Sequence, residues 1–297
     1  MIQLSRNDKK AHLLLFGVAA SWGISLPLTK LIINDIGIFT LLFFRFLIGG
    51  IITATIFWKR LRKIKLRTVA TSFFLAAIMS LVNILETYGL KFTTATNAAF
   101  LSGLSLIIVP LISFLIFKER PGRRWIFGTL LSLVGFYFLT AGDKGLTSLN
   151  KGDGIILLSA FVYALYIMSV DHFVDLQDSI PVGILVLLFS ALIYMVLMFL
   201  PTPAPIMQSG KLLTVLLIIS FACTAFAYSG HIIAQKHTST IRAALILMTE
   251  PIFATLFSLI IPDSAGNTET LTLFKVIGIL LMTLGMLSAE FGHITKN

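Results

Sequence analysis

Charge is scarce in this chain: Asp, Glu, Lys and Arg make up 12% of its 297 residues, about half the share in a soluble protein. Apolar residues reach 57%, against about 45–50% in soluble domains. One soluble domain of this length cannot bury that much apolar surface. Cysteine is nearly absent. The single Cys223 excludes an intrachain disulfide or a cysteine-built metal cage and reads as a small buried hydrophobe. No GxxxxGK(S/T) motif occurs, which excludes ATP hydrolysis by a P-loop. HExxH, GxSxG and clustered histidines are also missing, so no catalytic residue, metal site or cofactor is expected.

What fills the chain instead is a series of ten apolar runs, at 11–29, 36–57, 68–88, 96–117, 125–141, 153–171, 181–200, 212–235, 241–261 and 271–289. A bilayer core about 30 Å thick takes roughly 17–25 apolar residues as a helix. Leu, Ile, Phe and Ala dominate without period-two alternation, which excludes a membrane β-barrel. The first run follows Arg6, Lys9 and Lys10 as in a signal peptide. It is too long for one and lacks a clear cleavage site, so a retained helix is expected. Turn and charge signals mark the connectors, among them Lys59-Arg60-Leu61-Arg62-Lys63 and Pro201-Thr202-Pro203.

Lys and Arg number 23 against 13 Asp and Glu, a net charge of +10. In a soluble protein this would suggest nucleic acid. Placed on ten spans with the N-terminus inside, sixteen of the basic residues fall in cytoplasmic segments and six outside, while Arg45 lies within a span. The bias predicts a multi-pass protein of a bacterial inner membrane with both termini cytoplasmic, and no nucleic-acid partner. The sixth-to-seventh connector departs from it, carrying Asp171, Asp175 and Asp178 with no Lys or Arg. Acidic residues weigh little in this rule.

The chain also repeats itself. Ala19-x-x-Trp22-Gly23 returns as Ala160-x-x-Tyr163-Ala164, and Pro110 as Pro251, each 141 residues later. Gly128 and Gly135 return as Gly278 and Gly285 at an offset of 150, the nine extra residues falling in the 262–270 loop. Each half, 1–145 and 146–297, therefore holds five helices, and an odd count inverts the second copy across the membrane. The expected fold class is an all-α integral membrane protein of ten transmembrane helices in two inverted five-helix repeats.

These residues resemble a known family. Trp22-Gly23, Arg45-Phe46, Ala98-Ala99-Phe100-Leu101 leading to Pro110, and Phe117-Lys118-Glu119-Arg120 followed by Gly128 and Gly135 look like the EamA-type branch of the drug/metabolite transporter superfamily. So do Ala243-Ala244-Leu245 leading to Glu250-Pro251. The resemblance covers roughly residues 11–290. It implies a ten-helix secondary transporter for small metabolites, such as an exporter of amino acids, nucleobases or toxic compounds. Ile260 stands where the second half would match Glu119, so Glu119 is assigned only a loop salt bridge.

Polar side chains in hydrocarbon are costly and should face a cavity or a partner. Arg45 is read either as a fork for a substrate carboxylate or phosphate, or as a structural pair. Glu86 shares a helical face with Asn83. A carboxylate in low dielectric can exchange a proton near neutrality, so Glu86 and Glu250 are candidates for proton coupling, with internal pairing as the alternative. Pro251 is expected to kink the ninth helix beside Glu250. His231 is a candidate relay or a packing residue. Trp22, Tyr163, Tyr166 and Tyr228 are candidate lining for a substrate pocket. The glycine pairs, seven residues apart, are assigned to close helix packing.

The expected function is secondary active transport of a small metabolite or drug-like molecule by alternating access, with protons as a coupling ion and lipids as the surroundings, in a monomer or weak homodimer. The alternative classes are a membrane-embedded enzyme acting on a lipid-linked substrate and a ligand sensor. Polar residues spread around the midplane, and short loops without an output domain, weigh against both.

Overall fold

The computed structural model describes residues 6–105, 108, 111–112, 123–141, 150–174, 179–199, 210–235, 246–247 and 249–293. Every regular element among them is helical. In hydrocarbon a backbone without water must satisfy its own polar groups, which a helix does within one segment. The helices are α1 (Arg6–Ile32), α2 (Ile38–Ile56), α3 (Leu66–Leu90), α4 (Ala95–Gly103), α5 (Arg123–Ala141), α6 (Lys151–Val174), α7 (Ser179–Met198), α8 (Gly210–Ser220), α9 (Ala227–Gln235), α10 (Glu250–Ser258) and α11 (Leu273–His293). Among the described residues six spans are long and apolar enough to cross a membrane: Lys9–Ile32, Ile38–Ile56, Leu66–Leu90, Lys151–Val170, Ser179–Met198 and Gly210–His231. Two shorter apolar stretches are Ile126–Gly135 and Leu273–Gly285. The chain is a multi-span membrane protein. Pro110, the 117–120 and 243–245 motif segments and the 201–203 connector lie outside the described residues.

Two local features differ from a plain reading of the apolar runs. The eighth run is not a uniform helix: a π-helical segment, Phe221–Phe226, joins α8 to α9. The Thr224 hydroxyl donates to the Ile219 carbonyl at 3.1 Å, five residues earlier. Such turns displace a side chain from the regular register and cluster at functional sites. In the ninth run, residues 241–245 and 248 lie outside the described residues, so the expected kink at Pro251 falls partly on a segment that is not described. Three-residue bonds, Thr249 N to Ile246 O at 3.0 Å and Ile252 N to Thr249 O at 3.0 Å, precede and span Pro251. A new helix starts at Glu250 with Pro251 in its first turn, where the missing N–H has no helical partner to lose.

Packing is reciprocal between the halves. α1 lies against α10 as α6 lies against α4, α2 against the π segment as α3 against α7, and α1 against α9 as α3 against α6. α5 and α11 pair closely. At their crossing a Cβ on Gly135 would meet the Gly278 carbonyl at 2.8 Å, and one on Gly285 the Gly128 carbonyl at 2.6 Å. Glycine at these positions lets the two backbones touch.

Several connectors share one face. The Lys30 ammonium at the end of α1 donates to the carbonyls of Leu90 (2.5 Å), Lys91 (3.3 Å) and Thr93 (2.6 Å), closing the C-terminal end of α3. Thr93 donates to the Asp153 carboxylate at the start of α6, and Asn34 donates to Ser264 at 2.7 Å. The basic Trp58–Lys63 turn lies at the far end of α2, on the opposite face. Lys30→Met would leave those carbonyls without their cation. A loss of about 2 kcal/mol is expected, read as an earlier thermal melt in detergent; an unchanged melt would show that water replaces the ammonium.

Candidate functional site: a central polar cavity

Helical spacing explains which side chains meet at the centre. Trp22, Ser25, Leu26 and Thr29 lie on one stripe of α1, and Asn83, Glu86, Thr87 and Leu90 on one stripe of α3. With Arg45 of α2, Ser159, Ala160 and Tyr163 of α6, Tyr228 and His231 of α9, and Glu250 of α10 they line a cavity of about 340 Å³. That volume suits a small metabolite. Both halves of the chain contribute to it.

Among the described residues Arg45 makes one hydrogen bond, from its Nε to the Thr224 hydroxyl at 3.0 Å. The π turn supplies that hydroxyl, and Gly49 of α2 lets Thr224 approach. Among the described residues no ion pair engages Arg45, and it lines the cavity. A planar fork so presented matches a carboxylate or phosphate. Glu86 accepts from Ser102 at 2.8 Å through one oxygen. The Glu250 carboxylate has no hydrogen-bond partner among the described residues and lines the same cavity as Glu86. Asn83 donates to the Met79 carbonyl at 2.8 Å.

An aromatic wall completes the site. Trp22 packs edge-on against Tyr228, 5.8 Å between ring centres, and against His231 at 5.5 Å. Where α1 crosses α10, Gly23 has no room for a Cβ beside the Glu250 carbonyl, and this close approach brings Trp22 and Glu250 to the same cavity.

The structure thus brings Trp22, Arg45, Asn83, Glu86, Tyr163, Tyr228, His231 and Glu250 around one space. Tyr166 is not part of its lining. It stacks behind Tyr163, ring centres 5.9 Å apart and nearly parallel. The small hydroxyls Ser25, Thr29, Thr87, Ser102, Ser105 and Ser159 were not singled out from sequence. For Ser25, Thr29 and Thr87 the i, i+3, i+4, i+7 spacing from Trp22 and from Asn83 was the available signal.

A second polar space of about 430 Å³ lies at the face where the connectors meet, lined among others by Lys30, Lys91, Asp263, Asn267, Glu269 and Lys275. Partial burial holds the Lys91 ammonium below the ordinary lysine range.

The chain is similar to several known proteins. The EamA-like transporter family model matches residues 9–141 and again 150–289. A protein of Archaeoglobus fulgidus named an uncharacterized transporter is 29% identical over 276 residues, covering 91% of this chain and 82% of its own. A second from that organism, with the same name, is 24% identical over 84% of this chain and 89% of its own. The uncharacterized transporter YyaM of Bacillus subtilis is 24% identical over 79% of this chain and 78% of its own. One protein solved by crystallography superposes with a TM-score of 0.68 at 18% identity, covering 95% of this chain and 96% of its own.

Proposed function

Because the chain belongs to the EamA-like transporter family, we propose that it is a secondary active transporter of a small charged or amphoteric metabolite, working by alternating access. The observation that carries this is the central cavity, where an arginine fork and two carboxylates from different halves face one metabolite-sized space. Residues 1–145 and 146–297 are then two inverted five-helix repeats, ten spans in all. The reciprocal packing of the halves and the matched glycine contacts of α5 and α11 support that arrangement, as does the double match of the family model. Inverted repeats around a midplane site can rock to open either face in turn. The basic N-terminus and the basic Trp58–Lys63 turn support a placement of both ends of the chain on the cytoplasmic side of a bacterial inner membrane. The face carrying Lys30, Thr93 and the 262–272 loop is then the outer one.

Within the cavity, Arg45 binds the anionic group of the substrate, and the aromatic wall of Trp22, Tyr163 and Tyr228 packs its body. Asn83 and His231 add polar contacts, and Tyr166 backs Tyr163. Glu86 and Glu250 exchange a proton with the substrate's passage. Both carboxylates line the one cavity that the substrate would occupy, which supports the assignment. Transport of a radiolabelled panel of amino acids and nucleobases into proteoliposomes under an imposed pH gradient tests this. Glu86→Gln and Glu250→Gln are each expected to abolish acceleration by the gradient while equilibrium exchange persists. Gradient-driven transport retained in both variants would sink the coupling assignment. A membrane enzyme for lipid-linked substrates would gather such groups at one interface, and here they come from several helices of both halves and line one central cavity.

A further inference from the structure

The nine residues by which the second half exceeds the first, 262–270, have no counterpart in the first half and no part in the central cavity. They form a preshaped turn. The Asp263 carboxylate accepts from the amides of Ala265 and Asn267, both at 2.9 Å. The Asp263 amide donates to the Asn267 carbonyl at 2.8 Å. Gly266 has a φ of 87°, a conformation that favours glycine.

This turn is tied to the first half at two points. Asn34, between α1 and α2, donates to Ser264. The Glu269 carboxylate accepts from the Thr96 amide at the start of α4 at 3.1 Å, where the helix dipole favours an anion. Its other oxygen meets Lys275 of α11 at 3.0 Å, and its own amide donates to the Ser258 carbonyl at the end of α10 at 3.0 Å. Directly beneath lies an apolar cluster that includes Leu26, Leu90, Ala95, Ala99 and Ala254. Leu26, Leu90 and Ala99 line the central cavity and Ala95 lines the outer polar space, so the cluster separates the two.

We infer that the 262–270 turn is an outer latch: through Glu269 on the start of α4, and Ser264 on Asn34, it clasps the two halves together over the apolar plug and keeps the cavity closed to the outer face. This rests on the alternating-access reading. Opening to that face requires the plug residues of α1, α3 and α4 to part from Ala254 of α10, and the two bonds span that parting line. Both sit at a polar rim where water can replace them, which a latch that must cycle needs.

Thr87, inside the cavity beneath the plug, serves as the reporter. In Thr87→Cys, labelling by a membrane-impermeant maleimide from the outer face is read against a parent carrying only the buried Cys223. Adding Glu269→Ala is expected to speed labelling roughly fivefold, the population shift that one such contact supports. An unchanged rate in protein with an unchanged melt overturns the latch. As a second arm, Asn34→Cys with Ser264→Cys is bridged by a short bis-methanethiosulfonate reagent. Bridging is expected to stop counterflow of a radiolabelled amino-acid and nucleobase mixture, and reductant to restore it in the same vesicles. Counterflow that continues while bridged overturns the latch and leaves the transport reading standing. Faster labelling in Glu269→Ala with no counterflow in the parent supports the latch and counts against transport.

Discussion

Replacing Arg45 with alanine is expected to cut initial transport rates about thirty- to hundredfold, with little change in the thermal melt. A charge-assisted bond between guanidinium and an anionic substrate is worth roughly 2–3 kcal/mol, and each 1.4 kcal/mol is about a factor of ten. The protein invests little in this side chain: one bond to Thr224 through Nε. The decisive comparison is with Thr224→Val, which removes that bond and leaves the terminal fork in place. If Arg45 binds substrate, Thr224→Val should retain most transport and Arg45→Lys should lose most of it, because an ammonium cannot offer two parallel donors. If Thr224→Val and Arg45→Ala lose transport and stability together, Arg45 is a structural pair.

The largest effect on stability is expected at the crossing of α5 and α11. Gly135→Leu would drive a side chain into the Met282 backbone amide, which a Cβ alone would already meet at 2.5 Å, and Gly285→Leu into the backbone of Ser132 and Gly128. Backbone atoms cannot turn aside as a rotamer can, so the helices must separate. Overpacking of this kind costs about 3 kcal/mol or more, and most of the monodisperse protein should be lost on size-exclusion chromatography in detergent. Gly154, near the start of α6, is the internal control. Nothing lies within 4 Å of a Cβ placed there, so Gly154→Ala should be neutral or add up to about 1 kcal/mol through helix propensity alone. Equal effects at Gly135 and Gly154 would mean that the close crossing does not hold this fold together.

The polar minority of an apolar chain was legible because each member is expensive to place in lipid. That reasoning selected Arg45, Glu86 and Glu250 one at a time, and the structure puts all three on one cavity. It failed to separate Tyr163 from Tyr166: three residues apart on one helix they look equivalent, and only the packing of α6 puts one at the cavity and the other behind it. Lys30 counted merely as a basic residue outside a span, whereas it closes the end of α3. The π turn was hidden because Phe221–Phe226 is as apolar as its surroundings, and hydropathy carries no information about which carbonyl an amide selects. The run containing Pro251 announced a disturbance, yet whether it kinks a helix or starts one depends on the bonds around Thr249.

Composition, run length and the distribution of Lys and Arg were enough to determine a membrane-spanning helical chain, because transfer of each residue between water and lipid is a local quantity that sums along the sequence. The resemblance of its motifs to the EamA-type branch likewise pointed to the family that the family model matches. Which polar groups meet, at what distance, and which bonds clasp the halves over the plug depend on pairs of residues as much as 230 positions apart, as with Asn34 and Ser264. Such pairs exist only once helices have chosen partners, and that choice rests on shape, on where glycine lets backbones touch, more than on hydropathy. Tertiary structure alone therefore decided the cavity and its outer closure.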